Sequence, residues 1–191
     1  MNPTSRVLVS QVLPSLTGHG VLLASPQDVD RVRDGLSAAG FTLAEIHAPD
    51  WGGRAVDTLD SDKPATSLRE AQAAIARTLR LPDGAAHNLD ALVDSLRDLA
   101  LWWPEDTRIA LLWHGADALV DSDLPGYLEL TDILRSATDD LWRGGDDGDR
   151  LFETVAFVDR HGVRTLPRVD DTSDPDHAGA DQTGPGEVAG P

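Results

Sequence analysis

The chain has 191 residues, enough for one ordinary domain with extensions and a sizeable core. Its 33 acidic residues against 16 basic ones give a net charge of −17. That argues against nucleic acid or an anionic membrane as a direct partner, since both need basic surface, and makes a basic protein the natural complement. There is no cysteine, which excludes disulfides and thiolate metal sites and suits a reducing, cytoplasmic setting.

In chain order, residues 1–19 carry no decisive pattern. Residues 6–16 fit a strand or a short amphipathic segment, and the run Val7–Pro14 is too short and interrupted for the apolar core of a signal peptide. Residues 20–24 read as a buried strand. Ser25-Pro26-Gln27-Asp28 then opens a helix, with Ser25 as cap, Pro26 in the first turn and Asp28 near the positive end of the dipole. Val29, Val32, Leu36 and Ala39 form its apolar stripe, and Gly40 is placed to end it. Residues 41–46 form another strand candidate. Residues 49–62 are turn-rich, with a short strand at 55–59. Ser67 and Glu70 fit a capping box for a helix whose Leu68, Ala71, Ile75 and Leu79 face inward.

Pro82 ends that helix, because it disfavours α geometry in Leu81 and has no N–H to donate. Asn88 is a good N-cap for the next one. From there Leu89, Leu92, Val93, Leu96 and Ala100 fall at the spacing of one buried face. Asp90, Asp94 and Asp98 recur every fourth residue and line up as a stripe pointing away from most of the leucines. Like charges at that spacing destabilise a helix by a few tenths of a kcal/mol per pair, and Arg97 can offset one of them at most. Such a row is either a solvated face or a surface kept for a basic partner.

Trp102-Trp103-Pro104 makes a break. Residues 108–113 are a near-continuous apolar run, as in a strand covered on both faces of a parallel sheet. Residues 115–123 read as a loop. Residues 124–143 read as a helix with Tyr127, Leu130, Leu134, Ala137 and Leu141 inward. An acidic glycine-rich loop at 144–149 leads to a strand at 151–158, then a turn at 159–162 and a short returning strand at 163–166. From Val169 onward the composition cannot bury enough apolar surface to order itself. That tail holds six acids and no Lys or Arg, which leaves −11 on residues 1–168. Strands alternating with helices imply an α/β fold with a mostly parallel sheet, and no segment is long and apolar enough to span a bilayer.

The run Leu81-Pro82 … Asn88-Leu89-Asp90-Ala91-Leu92 … Asp94 … Leu96 resembles the signature of the barstar family, the intracellular inhibitors of barnase-type ribonucleases. The likeness extends more loosely over residues 55–158. It implies a barstar-like small, mostly parallel sheet with helices packed on it. The chain then divides into an N-terminal strand–helix–strand extension (1–54) that lies outside the family pattern, the barstar-like domain (55–168) and the acidic tail (169–191), disordered by its composition. By the family pattern Asp94 is the main carboxylate inserted into the nuclease site, Asp90 is its neighbour, and Asn88 lies at the loop edge beside His87. Asp98 continues the stripe. The chain departs from the pattern where Asp83-Gly84-Ala85-Ala86-His87 lacks the family's aromatic residue and its glycine before the asparagine. Val93 stands in place of a tryptophan between the two aspartates, and Ser136 where the third helix often carries an acid, with Asp139 and Asp140 close by.

Other chemistries find little footing. The only lysine is Lys63, there is no phosphate-binding glycine loop, and no Gly-x-Ser-x-Gly elbow. His19, His47, His87, His114, His161 and His177 stand singly, without His-x-x-x-His spacing, and read as surface or turn residues rather than ligands. Gly148 as the sixth residue of an EF-hand loop would put Arg143 at the first, which a cation would reject. Asp90 and Asp94 on an exposed face lack the burial that splits the pKa values of a catalytic pair, so no enzyme is expected. The reading is therefore an inhibitor or immunity protein that needs no cofactor, monomeric before it binds a basic ribonuclease. The alternative is an acidic interaction module of the same fold whose partner is not a ribonuclease.

Overall fold

The computed structural model describes residues 9–14, 16–47, 67–142 and 149–159. A short helix α1 (Val9–Val12) leads into β1 (Thr17–His19), which turns back antiparallel on β2 (Val21–Ala24). The turn residue Gly20 has φ +74° and lies directly under the last long helix, where an added Cβ would come within 2.7 Å of the Arg135 Cα. Helix α2 (Val29–Ala38) follows a single 3-10 turn (Pro26–Asp28) whose cap is Ser25, its hydroxyl accepting from the Gln27 N–H. Gly40 then takes φ +79° as the terminating glycine, and β3 (Thr42–Ile46) begins.

The second half supplies the remaining elements. They are α3 (Leu68–Thr78), α4 (Leu89–Arg97), α5 (Leu99–Trp102), β4 (Arg108–Trp113), α6 (Asp117–Ser122), α7 (Leu124–Asp140) and β5 (Leu151–Phe157). All five strands form one sheet in the order β1-β2-β5-β4-β3, with β2, β5, β4 and β3 mutually parallel and β1 antiparallel at one edge. This is the α/β fold with a mostly parallel sheet that the alternation of strands and helices implies. Strands β2 and β3, from the first 54 residues, are built into the same sheet as β4 and β5.

The apolar run of β4 is explained by its place in the middle of that sheet. Ile109, Leu111 and Trp113 point into the core beneath α3, α4, α6 and α7, while Ala110 and Leu112 point to the other face, beneath α1 and α2. A strand buried on both faces has no polar side to show.

Several expectations need correction. Residues 115–123 are not a loop throughout: Gly115 turns at φ +69° and α6 follows, pinned by the fully buried Leu119. The acidic helix ends at Arg97, so Ala100 is not on its buried face. The chain bends at Asp98 so that Leu99, rather than Ala100, enters the core, and α5 carries it to Trp103. The long helix α7 stops at Asp140, short of Arg143. The strands expected at 55–59 and 163–166, the loop at 144–148 and the acidic tail lie outside the described residues.

Candidate functional site

The acidic helix is positioned by three anchors that arise from its local sequence. The first is the end of α3. Arg80 takes φ +57°, the left-handed position that usually falls to glycine, and Leu81 N–H closes back on the Ala76 carbonyl at 2.8 Å. The Arg80 guanidinium lies 4.7 Å from the Trp103 ring centre, and the Trp103 indole N–H donates to the Leu79 carbonyl at 2.8 Å. This supplies a partner for one of the carbonyls that a helix end leaves orphaned.

The second anchor is the connection itself. Residues 83–86 wind into a single 3-10 turn. The buried Gln72 on α3 donates its amide N–H to the Ala85 carbonyl at 2.8 Å and ties that turn to the core. The third anchor is Asn88. Its Oδ1 accepts from the N–H of Asp90 at 2.8 Å and of Ala91 at 3.4 Å, so the cap predicted from the sequence forms. Leu92 and Leu96 are fully buried among the α3 and α7 side chains, contributing roughly 1.5–3 kcal/mol each by the usual measure of apolar burial. The rod is therefore held along its inner edge, and its outer face is free of packing.

His87, Asn88, Asp90, Asp94 and Asp98 are all exposed, with the Asp94 side chain 76% accessible, and Val93 is half-buried. Asp90 and Asp94 are thus displayed outward on a capped, anchored helix. Asp98 is the residue at which the helix ends rather than a third member of a continuous row. Arg97 does more than offset one aspartate. Its NH1 lies 3.5 Å from Asp94 and its Nε 3.0 Å from Asp140 on α7, so one guanidinium spans two carboxylates of neighbouring helices. Val93, Arg97, Ile133, Ser136 and Asp140 line a shallow groove between α4 and α7. Asp140 therefore joins the surface that carries Asp94, one turn beyond Ser136. Its signal in the sequence was only its nearness to Ser136.

A second gathering of charged side chains lies on the other face of the sheet, at the ends of β3 and β4. Arg33 on α2 clamps Glu45 with two hydrogen bonds, Nε to Oε1 at 3.0 Å and NH2 to Oε2 at 2.9 Å. His114 Nε2 lies 3.1 Å from the same Oε2. The hydrogen bond from Arg33 holds the Glu45 carboxyl below its ordinary range, and burial pushes the His114 imidazole down. His47 stacks on His114 with ring centres 4.7 Å apart. The sequence reading of His47 and His114 as isolated residues is therefore corrected: the β3–β4 register, in which Ile46 sits opposite Trp113, brings them together.

Among families, the model described as Barstar (barnase inhibitor) matches residues 61–156, just over half of the chain, from ahead of α3 to the penultimate residue of β5. No curated protein and no solved structure gives a match.

Proposed function

The chain belongs to the barstar family of barnase inhibitors, and from that premise we propose that it is an intracellular inhibitor or immunity protein that plugs the basic active site of a ribonuclease with α4. The observation that carries this reading is the outward display of Asp90 and Asp94 on a helix whose start is capped and whose inner edge is anchored. A ribonuclease site is a concave basic patch made to hold phosphates. Rigidly held carboxylates would take up phosphate positions there and accept charge-assisted hydrogen bonds from Arg and Lys.

Arg97 tempers the local repulsion among these carboxylates in the free protein. In a complex, basic side chains of the nuclease would share Asp94 and Asp140 with it. Asn88, His87, Val93 and Asp98 border the contact. The net negative charge draws a basic partner in from a distance, so association slows as salt rises. Blocking the site needs no cofactor and no chemistry from the inhibitor, which acts as a monomer in the cytoplasm. No helix among the described residues is long and apolar enough to cross a membrane.

The test is capture from the native host with the tagged full chain, followed by RNA-cleavage assays on the captured material. The expected result is a basic ribonuclease, inhibited in the complex and not captured by Asp94→Lys. The alternative, an interaction module for another basic protein, is favoured by the absence of an aromatic residue in 83–87. It would be adopted if the captured partner cleaves no RNA.

A further inference from the structure

We propose that Glu45, His47 and His114 form a binding site for a divalent transition-metal ion of the zinc type, at the ends of β3 and β4 on the sheet face opposite α4. His47 follows the last residue of β3, two positions after Glu45 and so on the same side of the chain, and His114 follows the last residue of β4, one step past the Ile46–Trp113 pair. The His114 N–H donates to the Ile46 carbonyl at 3.0 Å, which continues the β3–β4 ladder one step and fixes the backbone of the last ligand. Phe157 stacks on the His114 ring at 4.8 Å and backs it; His47 stacks on it at 4.7 Å with the planes 16° apart, so the His47 ring must turn out of that stack before both imidazole lone pairs meet at one ion.

The donor atoms are already near coordination spacing. Zinc–nitrogen and zinc–oxygen bonds of about 2.0–2.1 Å around a tetrahedral ion place ligand atoms roughly 3.3–3.5 Å from one another. Glu45 Oε2 is 3.1 Å from His114 Nε2 and 3.8 Å from His47 Nε2, and all three donors lie within 4.8 Å of one another. His47 is over half exposed, so its ring can close the remaining gap without disturbing the core. Two imidazoles and a carboxylate suit zinc, nickel or copper, whereas calcium and magnesium prefer all-oxygen sets. Three protein ligands leave a fourth position open to water.

Arg33 has two opposed effects on such an ion. Its Nε donates to Oε1 and orients the carboxylate, as outer partners of metal ligands do, while its NH2, which donates to the Oε2 that faces both imidazoles, and its positive charge compete with the ion. Without a metal, Arg33, Glu45 and His114 make a structural ion-pair network, and the experiment must separate the two roles.

The full chain is titrated with zinc chloride by calorimetry, and with cobalt(II) by visible absorption as a reporter of tetrahedral coordination. The expected result is one ion per chain, unaffected by excess magnesium. Because outer-shell losses alone weaken metal sites by about 10–100-fold, His47→Ala, which removes an exposed ligand, should weaken zinc binding at least ~10-fold and abolish the cobalt bands. His177→Ala should leave both unchanged. No uptake of zinc, uptake that survives His47→Ala, or uptake lost instead in His177→Ala would overturn the proposal. Since His47 is exposed, loss of folding does not confound the result, and a melting curve of the variant checks this.

Discussion

Removing the Asp94 carboxylate should separate stability from binding. In Asp94→Ala the fold loses an exposed contact with Arg97 at 3.5 Å, of the kind worth about 0.2–0.5 kcal/mol between residues one turn apart. It also loses the repulsion between Asp94 and Asp90 one turn earlier, which is of similar size and opposite sign. Arg97 keeps its closer partner Asp140 at 3.0 Å. The net effect on folding is within about 0.5 kcal/mol, a change in melting temperature of no more than about 2 °C for a domain of this size. Binding behaves differently. Truncating one member of a charge pair that a complex buries costs about 2–5 kcal/mol, a general range for which barnase with barstar is itself the reference case. Carried over to this chain, that is a loss of affinity between about 30-fold and a few thousand-fold. Thermal unfolding of both proteins, paired with inhibition titrations against the captured ribonuclease, measures the two quantities. A fall of more than about 4 °C would refute the view of Asp94 as an exposed residue without a structural role. An inhibition constant within threefold of the parent's would refute its place in the contact.

Asn88→Ala should lower stability by about 1 kcal/mol in urea unfolding, because the N–H groups of Asp90 and Ala91 lose their acceptor, while Asn88→Asp should retain most of it. Gln72→Leu keeps the buried volume but leaves the Ala85 carbonyl without its partner; a loss of about 1–3 kcal/mol is expected, and no change would mean the 3-10 turn is held by other contacts. Gly20→Ala combines a left-handed backbone with a Cβ 2.7 Å from the Arg135 Cα, and about 2–4 kcal/mol of destabilisation should appear in the same assay. Burial raises the Tyr127 hydroxyl above its ordinary value of 10.0. The stability this gives is complete below that value and is lost as pH rises from it through the folded pKa. As the sequence holds one tyrosine, ultraviolet titration of the phenolate should show ionisation displaced upward in the folded protein, and Tyr127→Phe should flatten the alkaline fall in stability.

What could be foreseen followed the range of the forces involved. The Ser67–Glu70 capping box and the Asn88 cap are settled within one helical turn, so residue type and spacing suffice, and both form. The unbroken apolar character of β4 likewise announced a strand enclosed on both sides. Helix α6 was missed because it spans six residues and rests on one buried leucine, too little for a periodic pattern to emerge. The end of α4 was misplaced because Leu99 and Ala100 both suit an interior, and only the bend toward Trp103 decides between them. The link from Arg97 to Asp140, and the meeting of Glu45 with His114 across 69 positions, depend on helix packing and strand register that no local rule supplies.

The arrangement of the sheet also governs how the chain can be assembled. Until β5 is in place, the β1–β2 hairpin and the β3–β4 pair have no strand between them, because β5 alone joins the two. As the chain leaves the ribosome, residues 21–24 and 108–113 must therefore present unpaired edges to the cell until residues 151–157 have been synthesised. A nascent chain stalled before that point would lack the strand that closes the sheet, and its open edges would be exposed to aggregation.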